Sequence, residues 1–270
     1  MKITTRILCF ILIVLMAGLL SSNMILKQQY DAVDKTDLYW TYTKVLEQPF
    51  RHLHITGGNG THIFYEPADK PSVRLLQEWI NQYDGKINTS IKNDTLYLNF
   101  DHVPANPYEK FWLQNAAPVR IFSPELLSVT GHNTNFEMQK LKQKYITATI
   151  TGKSRFEIET LQEMDTVNVY GSDSSSVTVE LSPDYKKAAP PAETQQPIRV
   201  KAKNGNEFFF TPAAAQNSFN ESFSIRSVNA VMQGHSILDI GHAQVGNLKL
   251  QLADSAAIVV SGDALKKANK

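Results

Sequence analysis

Three of the seven histidines fall within eleven residues: His52, His54 and His62. His52 and His54 stand at i, i+2 on a segment that reads as a strand, so both side chains leave the same face. His62 follows across a Gly-rich turn. Three converging imidazoles would make a zinc-ligand set. The plainer reading of H-x-H on an exposed strand is ordinary surface, and no H-E-x-x-H accompanies it. The expectation is no bound metal, with His52, His54 and His62 as the positions to inspect. Glu157 and Glu159 also point to one side of a strand, and paired carboxylates serve glycoside hydrolysis. They have no third partner in sequence, so a solvated face explains them. "SDSSS" (172–176) lacks a G-x-S-x-G context. "GGNGT" (57–61) lacks the Gly-Lys-Ser/Thr ending of a phosphate loop and reads as a turn. Asn59, Asn88, Asn93 and Asn220 begin N-x-S/T sequons, which matter only in a eukaryotic secretory route. No catalytic residue and no cofactor is expected.

The elements that position these residues start with an amino end of a different character. Lys2 and Arg6 precede an unbroken apolar run from Ile7 to Leu20, fourteen residues. As a helix that run is about 21 Å long, short of the roughly 30 Å hydrocarbon core. Continued to Leu26 it reaches about 30 Å and spans. Small residues at alternating positions, the mark of a cleavage site, are missing: Leu15 precedes Ala17 and Leu20 precedes Ser22. The expectation is an uncleaved single-pass anchor through residues 7–26, with the N-terminus cytoplasmic and the rest exported. The stem, 27–48, carries Tyr30, Tyr39, Trp40 and Tyr42, suited either to the headgroup level or to packing on the domain.

The whole chain has 27 basic and 26 acidic residues, net +1, which argues against a nucleic-acid partner. With 42% hydrophobic residues it can bury a core. Its one cysteine, Cys9, lies in the apolar run, so neither an internal disulfide nor a cysteine zinc site can form.

Beyond Pro49 the period becomes that of strands. Phe50, Leu53 and Ile55 precede a Gly-Gly-Asn-Gly turn, and Ile63 and Tyr65 follow it. Ile87, Thr89 and Ile91 run into an Asn-Asp turn, with Leu96, Leu98 and Phe100 beyond. Between these, 71–85 fits a helix or an extended segment. From Val119 onward short alternating strands dominate. Gly131, Gly152 and Gly171 are spaced 21 and 19, and Leu141, Leu161 and Leu181 are spaced twenty. After each glycine comes an apolar pair: Phe136 and Met138, Phe156 and Ile158, Val177 and Val179. Self-similarity near twenty residues points to stacked repeats, with glycines at the corners, where φ > 0 costs them little. The expected fold is all-β: a parallel β-helix-like solenoid of about 20-residue coils. The alternative is a β-sandwich. Expected organisation is anchor 1–26, stem 27–48, a short β-rich leading region 49–115, and repeats 116–270 interrupted by an exposed Pro-rich loop at 182–197. Asn204-Gly205 marks a hairpin.

"FRHLHITGGNGTHIFY", "VRIFSPELLSVTGHNTNFEM", "ITGKSRFEIETL", "VYGSDSSSVTVEL" and "MQGHSILDIGHA" together resemble the GIN domain, a domain of unknown function described as an auto-transporter adhesin head. The likeness covers roughly residues 50–260. Where family members pair glycines at each turn, this chain keeps one, as in Thr130-Gly131-His132-Asn133. The resemblance implies a right-handed β-helix-like fold, a place in the Gram-negative envelope, and no catalytic residue. The functional expectation is an envelope protein at the bacterial inner membrane, its bulk periplasmic, that binds or scaffolds. Its ligand would be a carbohydrate or an envelope protein, met by the row Thr147, Thr149 and Thr151. A polysaccharide-acting enzyme is the alternative, by fold analogy alone.

Overall fold

The computed structural model describes residues 3–83, 87–100, 117–183, 198–201, 207–210, 223–253 and 255–260. The Pro-rich segment 184–197, the turn at Asn204-Gly205, Asn220 and the basic tail lie outside these. The chain divides into two compact units, Met1–Thr43 and Lys44–Lys270.

The first unit is built on α1, Ile3–Ala32, none of whose residues is buried. It is long and apolar enough to cross a membrane. Beyond it, Asp34 accepts hydrogen bonds from the Thr36 amide at 2.9 Å and hydroxyl at 2.6 Å, making an Asx turn. The Thr36 hydroxyl lowers the pKa of Asp34 below its ordinary range. Tyr39 and Tyr42 meet edge to face, with ring centroids 6.0 Å apart, while Tyr30 and Trp40 are exposed.

In the rest of the chain the strands are β1 (Tyr42–Leu46), β2 (His52–Thr56), β3 (Ile63–Pro67) and β4 (Ser72–Leu76). Helix α2 (Gln77–Tyr83) precedes β5 (Ile87–Lys92), β6 (Thr95–Phe100) and β7 (Val119–Ser123). Then come β8 (Ser128–His132), β9 (Asn135–Leu141), β10 (Tyr145–Thr151), β11 (Arg155–Thr160), β12 (Met164–Gly171) and β13 (Ser176–Leu181). The series closes with β14 (Ile198–Lys201), β15 (Glu207–Phe210), β16 (Ser224–Met232), β17 (Ile237–Asp239), β18 (Gln244–Leu252) and β19 (Ala257–Val259). The described part of the 71–85 segment is therefore both extended and helical, as β4 and α2 in succession.

Two large sheets form. A nine-stranded sheet runs β1-β4-β7-β3-β9-β11-β13-β17-β19, and an eight-stranded sheet runs β18-β16-β12-β10-β8-β2-β6-β5. Strands β14 and β15 make a separate antiparallel pair. The alternating apolar residues of both large sheets converge on one core. This overturns the expected all-β parallel β-helix-like solenoid. The sheets are mixed, because β4 pairs antiparallel with β7 and β5 antiparallel with β6. Their order also leaves chain order, since β7 lies between β4 and β3. The result is a sandwich-like pair of mixed sheets with helices, close to the alternative. The physical reason is that a twenty-residue spacing records the offset between paired strands. It says nothing of how many layers those strands build, nor that every segment stacks the same way.

The stacked columns themselves are present. Phe156 lies between Phe136 and Val177, and Ile158 between Met138 and Val179, in parallel register. All six are fully buried, and the Phe136 and Phe156 rings stack 5.6 Å apart at 4°. The glycines do not share one role. Only Gly152 of the three has positive φ, +71°. Gly131, next to last in β8, and Gly171, last in β12, lie in the inner row Ile55–Gly131–Ile150–Gly171–Met232. Each makes room for a close side chain: a Cβ at Gly131 would stand 2.7 Å from Thr134 Cγ2, and one at Gly171 2.6 Å from Met232 Cε. The leucine spacing is also coincidental in part. A register shift after Ile158 pairs Leu141 with Thr160, not with Leu161, and Lys140 takes φ 55° there. A feature not anticipated is a buried corner column of hydroxyls, Thr61, Thr134, Ser154, Ser175 and Ser236. In it Ser154 Oγ accepts from the Thr134 amide at 3.0 Å and donates to the Thr151 carbonyl at 2.6 Å.

Candidate functional site

The outward face of the eight-stranded sheet collects the most varied chemistry. Inward residues of β2, β6, β8, β10 and β12 are buried, so their alternates face out. Parallel register then lays them in straight rows. One row is Thr95–His52–Ser128–Thr147–Asn168–Asn229–Lys249. Its side chains bond along the row. His52 Nδ1 and Ser128 Oγ are 2.7 Å apart, Asn168 Nδ2 donates to Thr147 Oγ1 at 3.2 Å, and Asn229 Nδ2 donates to Asn168 Oδ1 at 2.8 Å. The next row is Tyr97–His54–Thr130–Thr149–Tyr170. Here the His54 and Tyr97 rings are 5.4 Å apart. Tyr97, Tyr145 and Tyr170 are 39%, 56% and 48% exposed on this face. Tyr97 and Tyr170 stand four strands apart, roughly 19 Å at about 4.8 Å per strand.

The three histidines do not come together. His52 and His54 belong to the eight-stranded sheet, whereas His62 precedes β3 of the nine-stranded one. There its ring stacks on Phe64 at 6.2 Å, with Asn135 Nδ2 3.3 Å from its Nδ1. Among the described residues no group of three His, Cys, Asp or Glu is placed to hold a metal. The tyrosines, not the histidines, give the face its character, and sequence reasoning passed over them. Tyr97 and Tyr170 fall on one row only when the register is known.

The carboxylates gather on the opposite, nine-stranded sheet. Glu137, Glu157 and Thr178 follow one another in register, with Asp239 beyond, and Glu159 pairs with Glu180. Arg155 bonds to Glu157. Partial burial, with Glu157 and Glu137 nearby, raises the Glu180 pKa above its ordinary value. These carboxylates stand at outward positions of their strands, the alternates of the buried residues. A cavity of about 320 Å³ lies elsewhere, where β12, β16 and β18 begin, lined by residues including Asp165, Arg226 and Gln244. Arg226 and Lys144 neutralise Asp165 there, at 3.1 Å and 3.9 Å.

Neither a family model nor a curated protein matches the chain. The resemblance to the GIN domain therefore has no family model behind it. Among solved structures, an adhesin candidate from Bacteroides fragilis NCTC 9343 is 10% identical, with 82% of this chain and 96% of that chain covered and a TM-score of 0.34. A candidate lipid binding protein from Parabacteroides distasonis ATCC 8503 is also 10% identical, with coverages of 82% and 94% and a TM-score of 0.35. An adhesin candidate from the same organism is 14% identical, with coverages of 82% and 94% and a TM-score of 0.33.

Proposed function

We propose that the protein is an exported, membrane-anchored binding protein whose eight-stranded sheet face takes carbohydrate. The observation that carries this is the straight row from Tyr97 to Tyr170. Tyrosine rings offer apolar faces with a polar edge at low entropic cost, which suits the C–H faces of sugars. The hydroxyls, amides and imidazoles between them suit sugar hydroxyls as donors and acceptors. The row is flat and open, so it favours an extended chain over a small enclosed ligand. The test is the full chain in detergent micelles against a panel of envelope and plant glycans. Tyr97→Ala and Tyr170→Ala should each weaken the dissociation constant about five- to tenfold, the worth of roughly 1–1.4 kcal/mol of aromatic contact. Binding to none of the panel, or variants that bind like the wild type, would sink the reading. Turnover of a bound glycan would replace it with the enzymatic alternative.

The same reading keeps α1 as a retained single-pass anchor in a bacterial inner membrane. The length and apolarity of α1 support it, and Lys2 and Arg6 at its leading end favour a cytoplasmic N-terminus. Mass spectrometry of membrane fractions should recover the peptide around Cys9 joined to the body. A soluble form beginning between residues 18 and 28 would show cleavage instead.

A further inference from the structure

The two sheets differ in the charge they turn outward. Glu137, Glu157, Glu159, Glu180 and Asp239 stand at outward positions of the nine-stranded sheet. The strands of the eight-stranded sheet contain one acidic residue, Asp165. It lies at the start of β12, out of step with the outward row of Asn168 and Tyr170, and Arg226 and Lys144 neutralise it. The carboxylates around the rim of this face are engaged as well. Asp94, in the turn before β6, is held by Arg51 at 2.7 Å, with Glu125 acting on the same guanidinium. Past β12, Asp173 accepts from the Gly152 amide at 3.2 Å and the Ser172 hydroxyl at 3.1 Å. Basic residues bracket the face instead. Lys92 on β5 is the register partner of Thr95, so it extends the row that runs through His52 to Lys249. That row crosses all eight strands, about 34 Å from seven spacings of about 4.8 Å, with an exposed lysine at each end.

We infer that the polymer taken by this face is an acidic polysaccharide, laid across the strands with its anionic groups along the row from Lys92 to Lys249. The inference rests on the carbohydrate reading and narrows it to one charge class. A neutral glycan presents hydroxyl donors, and an ionised carboxylate is their strongest acceptor. The outward rows here withhold that acceptor, and so they oppose no anion. What lies between the lysines donates. Asn168 and Asn229 each give one amide hydrogen to a neighbour in the row, and each amide carries two. The serine, threonine and tyrosine hydroxyls can turn their hydrogens toward an acceptor. Lysine has three donors and no acceptor, so Lys92 and Lys249 favour an anion over a neutral sugar. The acidic outward row of the opposite sheet repels the same polymer, which leaves the eight-stranded face as its place on the molecule.

The experiment measures binding by the full chain in micelles of a non-ionic detergent, at neutral pH and at low and high salt. The probes are polygalacturonate, chondroitin sulfate, the methyl ester of polygalacturonate, dextran and inorganic polyphosphate. The two acidic glycans should bind about tenfold more tightly than the ester or dextran, the product of two exposed charge contacts worth about threefold each. High salt should remove most of that difference. The double variant Lys92→Gln, Lys249→Gln should weaken the acidic glycans about tenfold and leave the ester and dextran within about twofold. Equal binding of polygalacturonate and its ester overturns the inference and leaves the carbohydrate reading standing. A folded double variant that binds acidic glycans like the wild type overturns it too, since the charge contacts then lie elsewhere. Polyphosphate bound as tightly as the acidic glycans overturns both readings, because charge alone then explains the binding, and so does binding to no probe. If the double variant fails to fold, the comparison of polygalacturonate with its ester in the wild type decides the matter.

Discussion

Phe156→Ala is expected to lower stability by about 3–5 kcal/mol, because it opens a cavity in a packed column. Phe156 is fully buried, its ring lies parallel to that of Phe136, and Val177 covers its other side. Neither neighbour can collapse into the space easily, because each is held in its own strand by ladder bonds to the next. Thr149→Ala, on the outward row, should change stability by no more than about 0.5 kcal/mol. Urea midpoints of the two variants give the comparison directly. A loss below about 1 kcal/mol at Phe156 would mean that the column is not where the packing energy of this sheet resides.

That column was legible because two periods act on the same residues. Alternation at period two decides which side chains face inward, and the near-twenty offset decides which lie over which. Phe136, Phe156 and Val177 satisfy both. Leu161 satisfies only the offset, and the register shift after Ile158 hands its inward position to Thr160. The architecture was not legible for a related reason. Strand β7 enters between β4 and β3 on long-range pairing, and no local pattern announces a strand that returns to an earlier neighbour. Gly131 and Gly171 misled in the same way. Neither needs positive φ: a Cβ at Gly171 would meet Met232 on the adjacent strand, which appears only after register is fixed, and one at Gly131 would meet Thr134 just beyond its own strand, with Ile150 behind it.

Less of the candidate site could be read. His52 and His54 are alternate residues of β2 and share a face, which is a local fact of i, i+2 on a strand. Whether His62 joined them depended on the sheet to which each segment belonged, and the Gly-rich turn sends the chain from one sheet to the other. Tyr97 and Tyr170 are 73 residues apart in sequence, and neither carries a motif. Their meaning comes from parallel pairing through β2, β8 and β10, which turns five distant residues into one line. A flat binding face on stacked strands is thus a property of register more than of any local segment.

Gly57→Ala should cost about 2–5 kcal/mol, combining two separable effects. The first is backbone strain, since Gly57 has φ +83° and a side chain in the left-handed region costs about 1–2 kcal/mol. The second is contact: a Cβ there would lie 3.0 Å from both the Cβ and the carbonyl oxygen of Phe100, and crowding of this kind typically costs about 1–3 kcal/mol. Relief by movement is restricted on both sides. The Gly57 amide donates to the His132 carbonyl at 2.8 Å, and Phe100 ends β6, whose neighbours β2 and β5 hold it in the sheet. Gly241→Ala supplies the comparison. Its φ is +46°, but the nearest atom to an added Cβ is Asp239 Oδ1 at 4.0 Å, so only the strain of about 1–2 kcal/mol applies. Thermal or urea unfolding of both variants should therefore show the larger loss at Gly57. Equal losses would mean that the chain slides away from Phe100 at little cost. In that case the turn joining the two sheets is held less firmly than its contacts require.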